Sequence, residues 1–338
     1  MSETPRDLAP ASIARRRRLA RRRRRIQRLG VPAAVVTLVP LLVAVIAGGG
    51  SRVAHGSREF SAGRLATSMR RPKPPPVLLP RGGRTILPGR LVVAYYGIPG
   101  TSNILGQTSD PEADAAGVEQ RARAYAQFGR GVQPAFELVT TIASPYPGPD
   151  GSYSSPIDHA TLARYLRSAH RHKLLLILDF QPGRSEFLPQ VRRYARYLLD
   201  PAVGVALDPE WKLAADQVPD QVIGSASASS INAVSRFLSR LVLTHRLPQK
   251  LFIVHEFRTT ELPDRGFVAI EPGLATVLQM DGLGPVSTKL DSYRQVMTRA
   301  ARFHPGFKIF LRAVDDPVQL TPDQVMALRP RPEYISYQ

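Results

Sequence analysis

The sequence predicts an α/β fold, a (β/α)8 TIM barrel, preceded by a transmembrane helix and a Pro-rich linker. Three observations predict it. Residues 91–338 amount to 248 residues, close to the ~250 typical of such a barrel. Eight short runs rich in β-branched and large aliphatic residues recur there, their starts 24 to 48 residues apart. Amphipathic helical patterns fill most of the intervals, and strand–helix alternation argues for a parallel sheet that eight strands can close.

The predicted strands are 91–96, 135–143, 173–180, 203–207, 251–257, 275–280, 307–314 and 333–337. Most are uniformly apolar rather than alternating, as strands covered on both faces should be. Helical patterns cover 113–128, 158–170, 185–199, 230–245, 290–303 and 321–328. Asp158 and Ser185 are placed to cap two of them, and Thr321-Pro322 reads as cap and first turn of the last. Residues 258–272 are too short and polar for a full crossover helix. An open doubly wound sheet is the competing fold, but no glycine-rich phosphate turn follows any strand.

Charge is the next constraint. The chain has 46 basic residues, 40 of them Arg, against 27 acidic, a net +19. Residues 1–90 hold 20 of the basic and 3 of the acidic residues, whereas 91–338 hold 26 and 24. The basicity therefore belongs to the N-terminal segment, and a nearly neutral body gives no support to nucleic-acid binding. No cysteine is present, which excludes a disulfide scaffold, thiolate metal ligands and a cysteine nucleophile.

Residues 1–30 read as an Arg-rich cytoplasmic segment. The seventeen uncharged residues from Val31 to Ala47 follow it directly. That length suffices for a membrane span, and the basic cluster places the body outside the cytoplasm. Residues 31–48 are thus a transmembrane anchor, or a signal segment if cleaved after the small residues near Gly48. Localisation is accordingly a single-pass cell membrane protein, or a secreted one. Residues 49–90 read as a basic, Pro-rich linker, leaving 91–338 as the barrel domain.

Active sites of such barrels sit at the C-terminal ends of the strands. Those ends supply Tyr95, Tyr96, Asp179, Gln181, Asp208, Glu210, Trp211, His255, Glu256, Gln279, Asp281, Arg312 and Tyr337. A lone Asp after a strand is usually a helix cap. Asp208 and Glu210 together are not explained that way. Two residues apart on a strand, they would face the same side, and two like charges push one pKa upward. Trp211 follows at once and offers a stacking face for a sugar ring. The bland reading is a structural ion network around Arg312. Glu137 falls in mid-strand, where a charge needs a partner, and Arg312 is the expected one.

The eight units, the Asp208-x-Glu210 pair and the carboxylates on neighbouring strands resemble the barrel glycoside hydrolases, particularly the chitinase-like and lysozyme-like groups. The body is also similar to a group of exported bacterial barrel domains containing Asp-Pro-Glu-Trp. The resemblance implies that Glu210 is the proton donor and Asp208 its orienting neighbour. Asp281 after Met280 matches part of the chitinase-like Met–Tyr–Asp, without the Tyr. The resulting expectation is a membrane-anchored extracytoplasmic glycosidase acting on a cell-wall or surface glycan. Glu210, Asp208, Asp179 and Asp281 would be catalytic, and Tyr95, Tyr96, Gln181, Trp211, His255, Glu256, Gln279, Arg312 and Tyr337 would contact substrate. No cofactor, metal or nucleic acid is expected. The alternatives are a non-catalytic carbohydrate-binding or envelope scaffold barrel, and a metal hydrolase built on His255 with Asp179, Asp208 and Asp281.

Overall fold

The computed structural model describes residues 75–101, 105, 109–129, 131–311 and 318–338. Nine strands appear in them: β1 Arg90–Gly97, β2 Gly131–Ala143, β3 Ser154–Pro156, β4 Leu175–Phe180, β5 Val203–Leu207, β6 Lys250–Glu256, β7 Leu274–Met280, β8 His304–Ile309 and β9 Tyr334–Tyr337. Their order is β1-β9-β8-β7-β6-β5-β4-β2-β3, and β1 also pairs with β2, so eight parallel strands close into a barrel. The ninth, β3, is a short antiparallel addition to β2.

The helices between strands are α1 Pro111–Arg123, α2 His159–His172, α3 Phe187–Arg192, α4 Ala195–Leu198, α5 Ala228–Thr244, α6 Val286–Met297 and α7 Pro322–Met326. Asp158 caps α2 by accepting from the Thr161 N–H at 2.7 Å. Thr321 and Gln324 form a reciprocal capping box at the start of α7. The single helix expected over 185–199 is two short ones, α3 and α4. As expected, no full helix forms between β6 and β7, where only the turn Arg265–Phe267 is helical.

Strand pleating sorts the side chains into two layers. Leu91, Val93 and Tyr95 of β1 face outward into the core under the helices. Val92 and Ala94 face the barrel axis with Ala135, Ile177, Ala206, Ile253 and Val277. The N-terminal half of the interior is therefore apolar and filled. Leu79, Ile86 and Leu87 join this inner cluster from below. Gln249 holds them in place by accepting from the Ile86 and Leu87 N–H groups at 2.6 and 3.1 Å. Arg84 donates to the Leu247 carbonyl oxygen at 2.9 Å. Residues 79–89, assigned above to the linker, thus plug the bottom of the barrel.

Burying an aliphatic side chain is worth about 1.5–3 kcal/mol. A chain beginning at Arg90 is therefore expected to melt well below one beginning at Pro75. Equal thermal midpoints would show that the plug is passive.

The strand expected over 307–314 begins earlier. His304, Pro305 and Gly306, which precede the expected start, lie inside β8. A Cβ on Gly306 would meet Val277 and Gln279 at 2.9 and 3.0 Å, so only glycine lets β8 approach β7 there. Arg312 lies outside the described residues, as do residues 1–74. Among the described residues no helix is long and apolar enough to cross a membrane.

Candidate active site

Above the apolar floor the inward positions change character. Tyr96 of β1, Glu137 of β2, Asp179 of β4, His255 of β6, Lys308 of β8 and Tyr334 of β9 are all buried. Asp208 follows β5 and Asp281 follows β7 at the same end. The two-residue pleat carries this parity: Ala135 below Glu137, Ile177 below Asp179, Ile253 below His255.

These groups form a chain of contacts across the barrel. The Tyr334 hydroxyl donates to Glu137 Oε2 at 2.8 Å. His255 Nε2 lies 2.8 Å from Glu137 Oε1, and its Nδ1 lies 3.4 Å from Asp281 Oδ2. Lys308 Nζ reaches the same Asp281 oxygen at 3.5 Å and sits 3.5 Å from the centre of the Tyr96 ring. Among the described residues Glu137 finds its partners in His255 and Tyr334, and Lys308 is a buried cation beside them; the expected partner Arg312 lies outside those residues.

Each charge has a physical cause. Burial and Lys308 oppose the His255 charge, but Glu137 and Asp281 outweigh them and push its pKa well up. Burial likewise opposes the Lys308 charge, and Asp281, Glu137, Asp208 and Asp179 together overcome it. The acids divide the other way. Burial raises Asp179 to about 6, against the pull of His255. Asp208 is pushed well above the usual carboxylate range by burial first and Glu210 second. The like-charge pair anticipated in the sequence exists, with Asp208 as its raised member.

Asp208 precedes a single 3-10 turn, Pro209–Trp211, yet makes no side-chain cap bond to it. Its Oδ2 instead accepts from Gln181 Nε2 at 3.2 Å. Gln181 is fixed in turn by accepting from the Ala143 N–H at 3.2 Å. Glu210 is buried beside Asp208, and its carbonyl oxygen accepts from the Gly224 N–H at 2.6 Å. A Cβ at Gly224 would lie 2.2 Å from the Lys212 oxygen, so only glycine allows this close crossing. Trp211 is half-buried on the same turn. Gln279 faces inward but is engaged with the Ser336 hydroxyl at 2.5 Å.

Three expected site residues face away from the axis. Tyr95 packs into the outer core beneath α1, its ring edge 2.9 Å from where a Gly117 Cβ would be. Tyr337 is in the same outer layer, its hydroxyl bonded to that of Tyr125, with Arg121 4.6 Å over its ring. Glu256 pairs with Arg265 at 3.0 and 3.2 Å. Each ends a strand at the mouth but has outward parity, so none meets the interior.

Several carboxyl oxygens stay unsatisfied. Among the described residues neither oxygen of Asp179 has a hydrogen-bond partner, nor does Asp208 Oδ1. Buried polar atoms are almost always paired, so unpaired ones call for a specific explanation. No group of three or more His, Asp or Glu among the described residues is arranged to hold a metal ion, so the metal-hydrolase alternative gains no geometric support from them.

Asp179 provides a test of this electrostatic picture. Its carboxyl is raised in the fold, so it is protonated in both states below the unfolded value of about 4. Between there and about 6 the unfolded chain ionises first, and stability falls as pH rises. Asp179→Asn is therefore expected to raise the thermal midpoint at pH 7 and leave it nearly unchanged near pH 4. A midpoint lowered equally at both pH values would mean that Asp179 is a satisfied structural acid.

No protein-family model matches the chain, and no curated protein matches it either. Among solved structures it is similar to a sugar phosphate isomerase/epimerase from Parabacteroides distasonis ATCC 8503, with 12% identity and a TM-score of 0.35. That likeness covers 73% of this chain and 86% of the other.

Proposed function

We propose that the barrel is a glycoside hydrolase working by carboxylate acid/base catalysis on a cell-wall or surface glycan. The observation that carries the reading is the division of buried acids at the C-terminal mouth. Asp208 and Asp179 are pushed toward the neutral form, while Asp281 is flanked by the cations His255 and Lys308. Acids whose environments differ in this way are suited to opposite roles in one reaction.

Glu210 is the group that meets the glycosidic oxygen, and the proton it delivers belongs to the Asp208–Glu210 pair jointly. The bond from the anomeric carbon to that oxygen breaks as the proton arrives. Asp281 is the carboxylate on the other side, attacking the anomeric carbon or taking the proton of an attacking water. Tyr96, Gln181 and Trp211 border the sugar. Asp179 and His255 lie deeper and set the charge of the groups above them. Residues 31–48 hold the domain on the extracytoplasmic side of the membrane.

The test is to incubate the full chain with a panel of cell-wall and surface glycans and measure newly formed reducing ends. Release by the wild type supports the reading. Binding that depends on Trp211, with no release from any glycan, would favour the scaffold alternative.

A further inference from the structure

The turn after β6 carries an acid that strand-end reasoning passes over. Glu261 is fully buried. Its Oε2 accepts from the Phe257 N–H at 2.9 Å and the Arg258 N–H at 3.5 Å, which folds the side chain back over the end of β6. Its carbonyl oxygen accepts from the Ala226 N–H at 2.9 Å, tying this turn to the loop after β5.

In the barrel β6 lies between β5 and β7. Asp208 and Glu210 follow β5 and Asp281 follows β7, and all three acids act electrostatically on the Glu261 carboxyl. On its own turn, the Arg258 guanidinium lies 5.3 Å over the Phe257 ring. The second oxygen, Oε1, is buried and has no hydrogen-bond partner among the described residues. An ionised carboxyl here would add a negative charge to three nearby acids and leave one oxygen unsatisfied. A proton on Oε1 removes the charge and the repulsion together. Burial first, then Glu210 and Asp281, push this carboxyl well above the usual range, against the pull of the Phe257 N–H.

We propose that Glu261 is a positioning residue of the mouth, a carboxyl that keeps its proton at neutral pH and so fixes the charge surrounding Glu210. This rests on the glycosidase reading for its consequence, but its protonation can be measured without any substrate. Glu261→Gln preserves an acceptor for Phe257 and Arg258 and is neutral at every pH, so it mimics the protonated form.

The first measurement is carbon-13 NMR of the full chain labelled at glutamate carboxyls, with and without Glu261→Gln. The expected result is loss of one resonance that is protonated at pH 7. Loss of an ionised resonance instead overturns the inference, whatever the glycan assays show. The second is the pH–rate profile. Glu261→Gln should retain turnover at neutral pH, because it mimics the protonated form. It should move the alkaline limb downward, because the amide lacks the negative charge that the wild-type carboxyl, once ionised above neutral pH, sets beside the Asp208–Glu210 proton. A profile identical to wild type would leave Glu261 a purely structural cap and overturn its positioning role. Should Glu261→Gln not fold, Glu210→Gln is the second handle. By removing the Glu210 charge that repels Glu261 it should move the Glu261 ionisation to lower pH, and no movement overturns the inference. A wild type inactive on every glycan sinks the glycosidase reading, while the NMR measurement still decides where the proton is.

Discussion

Glu210→Gln is expected to keep the fold and glycan binding while lowering turnover by about 10²–10⁴-fold, the usual worth of general acid–base assistance. The amide has nearly the shape of the carboxyl but cannot deliver a proton. The surrounding turn should survive the exchange, because its main-chain bond, Gly224 N–H to the Glu210 carbonyl oxygen, does not involve the side chain. Asp208→Asn should also slow the reaction, since half of the proton-sharing pair is gone. Its fold should hold, because an amide oxygen can still accept from Gln181. Trp211→Ala should raise KM more than it lowers kcat, as stacking is present in ground and transition states alike. Steady-state kinetics with circular dichroism on each variant distinguish these outcomes. If Glu210→Gln unfolds the chain, the carboxyls are a structural network and the acid assignment fails.

The strands were legible because burial on both faces leaves almost nothing but aliphatic residues in them. The capped helices were legible because Asp158 and Thr321 sit immediately before apolar periodicity, and both make the expected bonds. Parity was harder to read. Tyr95 and Tyr96 are equally good mouth residues until one knows which side of the pleat faces in, and uniformly apolar strands carry no alternation to reveal it. The same one-residue ambiguity misplaced Glu256 beside His255, and it misplaced Tyr337. Mid-strand Glu137 was the one internal marker, and it does mark the inward side. Lys308 escaped notice although a compositional signal existed. In a chain with 40 Arg among 46 basic residues, each Lys is a departure. Lys250, Lys289 and Lys308 are all buried, so these departures mark interior positions. Glu261 had no such signal, because only the folding back of its turn brings it to the mouth.

Lys308→Met should be the most damaging single change in the interior. Met matches much of the side-chain length but removes the charge that faces Asp281, Glu137, Asp208 and Asp179. Removing one partner of a buried ion pair leaves the other charge uncompensated, at a cost of about 3–5 kcal/mol. For domains of roughly this size each kcal/mol moves the thermal midpoint by about 2–4 °C, so a loss of about 10 °C at neutral pH is expected. The loss should also depend on pH in a definite direction. Lys308 is raised in the fold, so its contribution is present throughout the range below its unfolded value of about 10. The acids it serves are different, because they can be neutralised. Asp179 already titrates at about 6 with the cation present, and without it protonation comes at higher pH still. Lowering the pH from 8 to 5 should therefore shrink the difference between variant and wild type, as protons replace the missing ammonium. Differential scanning calorimetry at the two pH values reads this directly. A midpoint that falls equally at both would mean that Lys308 acts by packing against Tyr96, and that the buried acids do not depend on its charge.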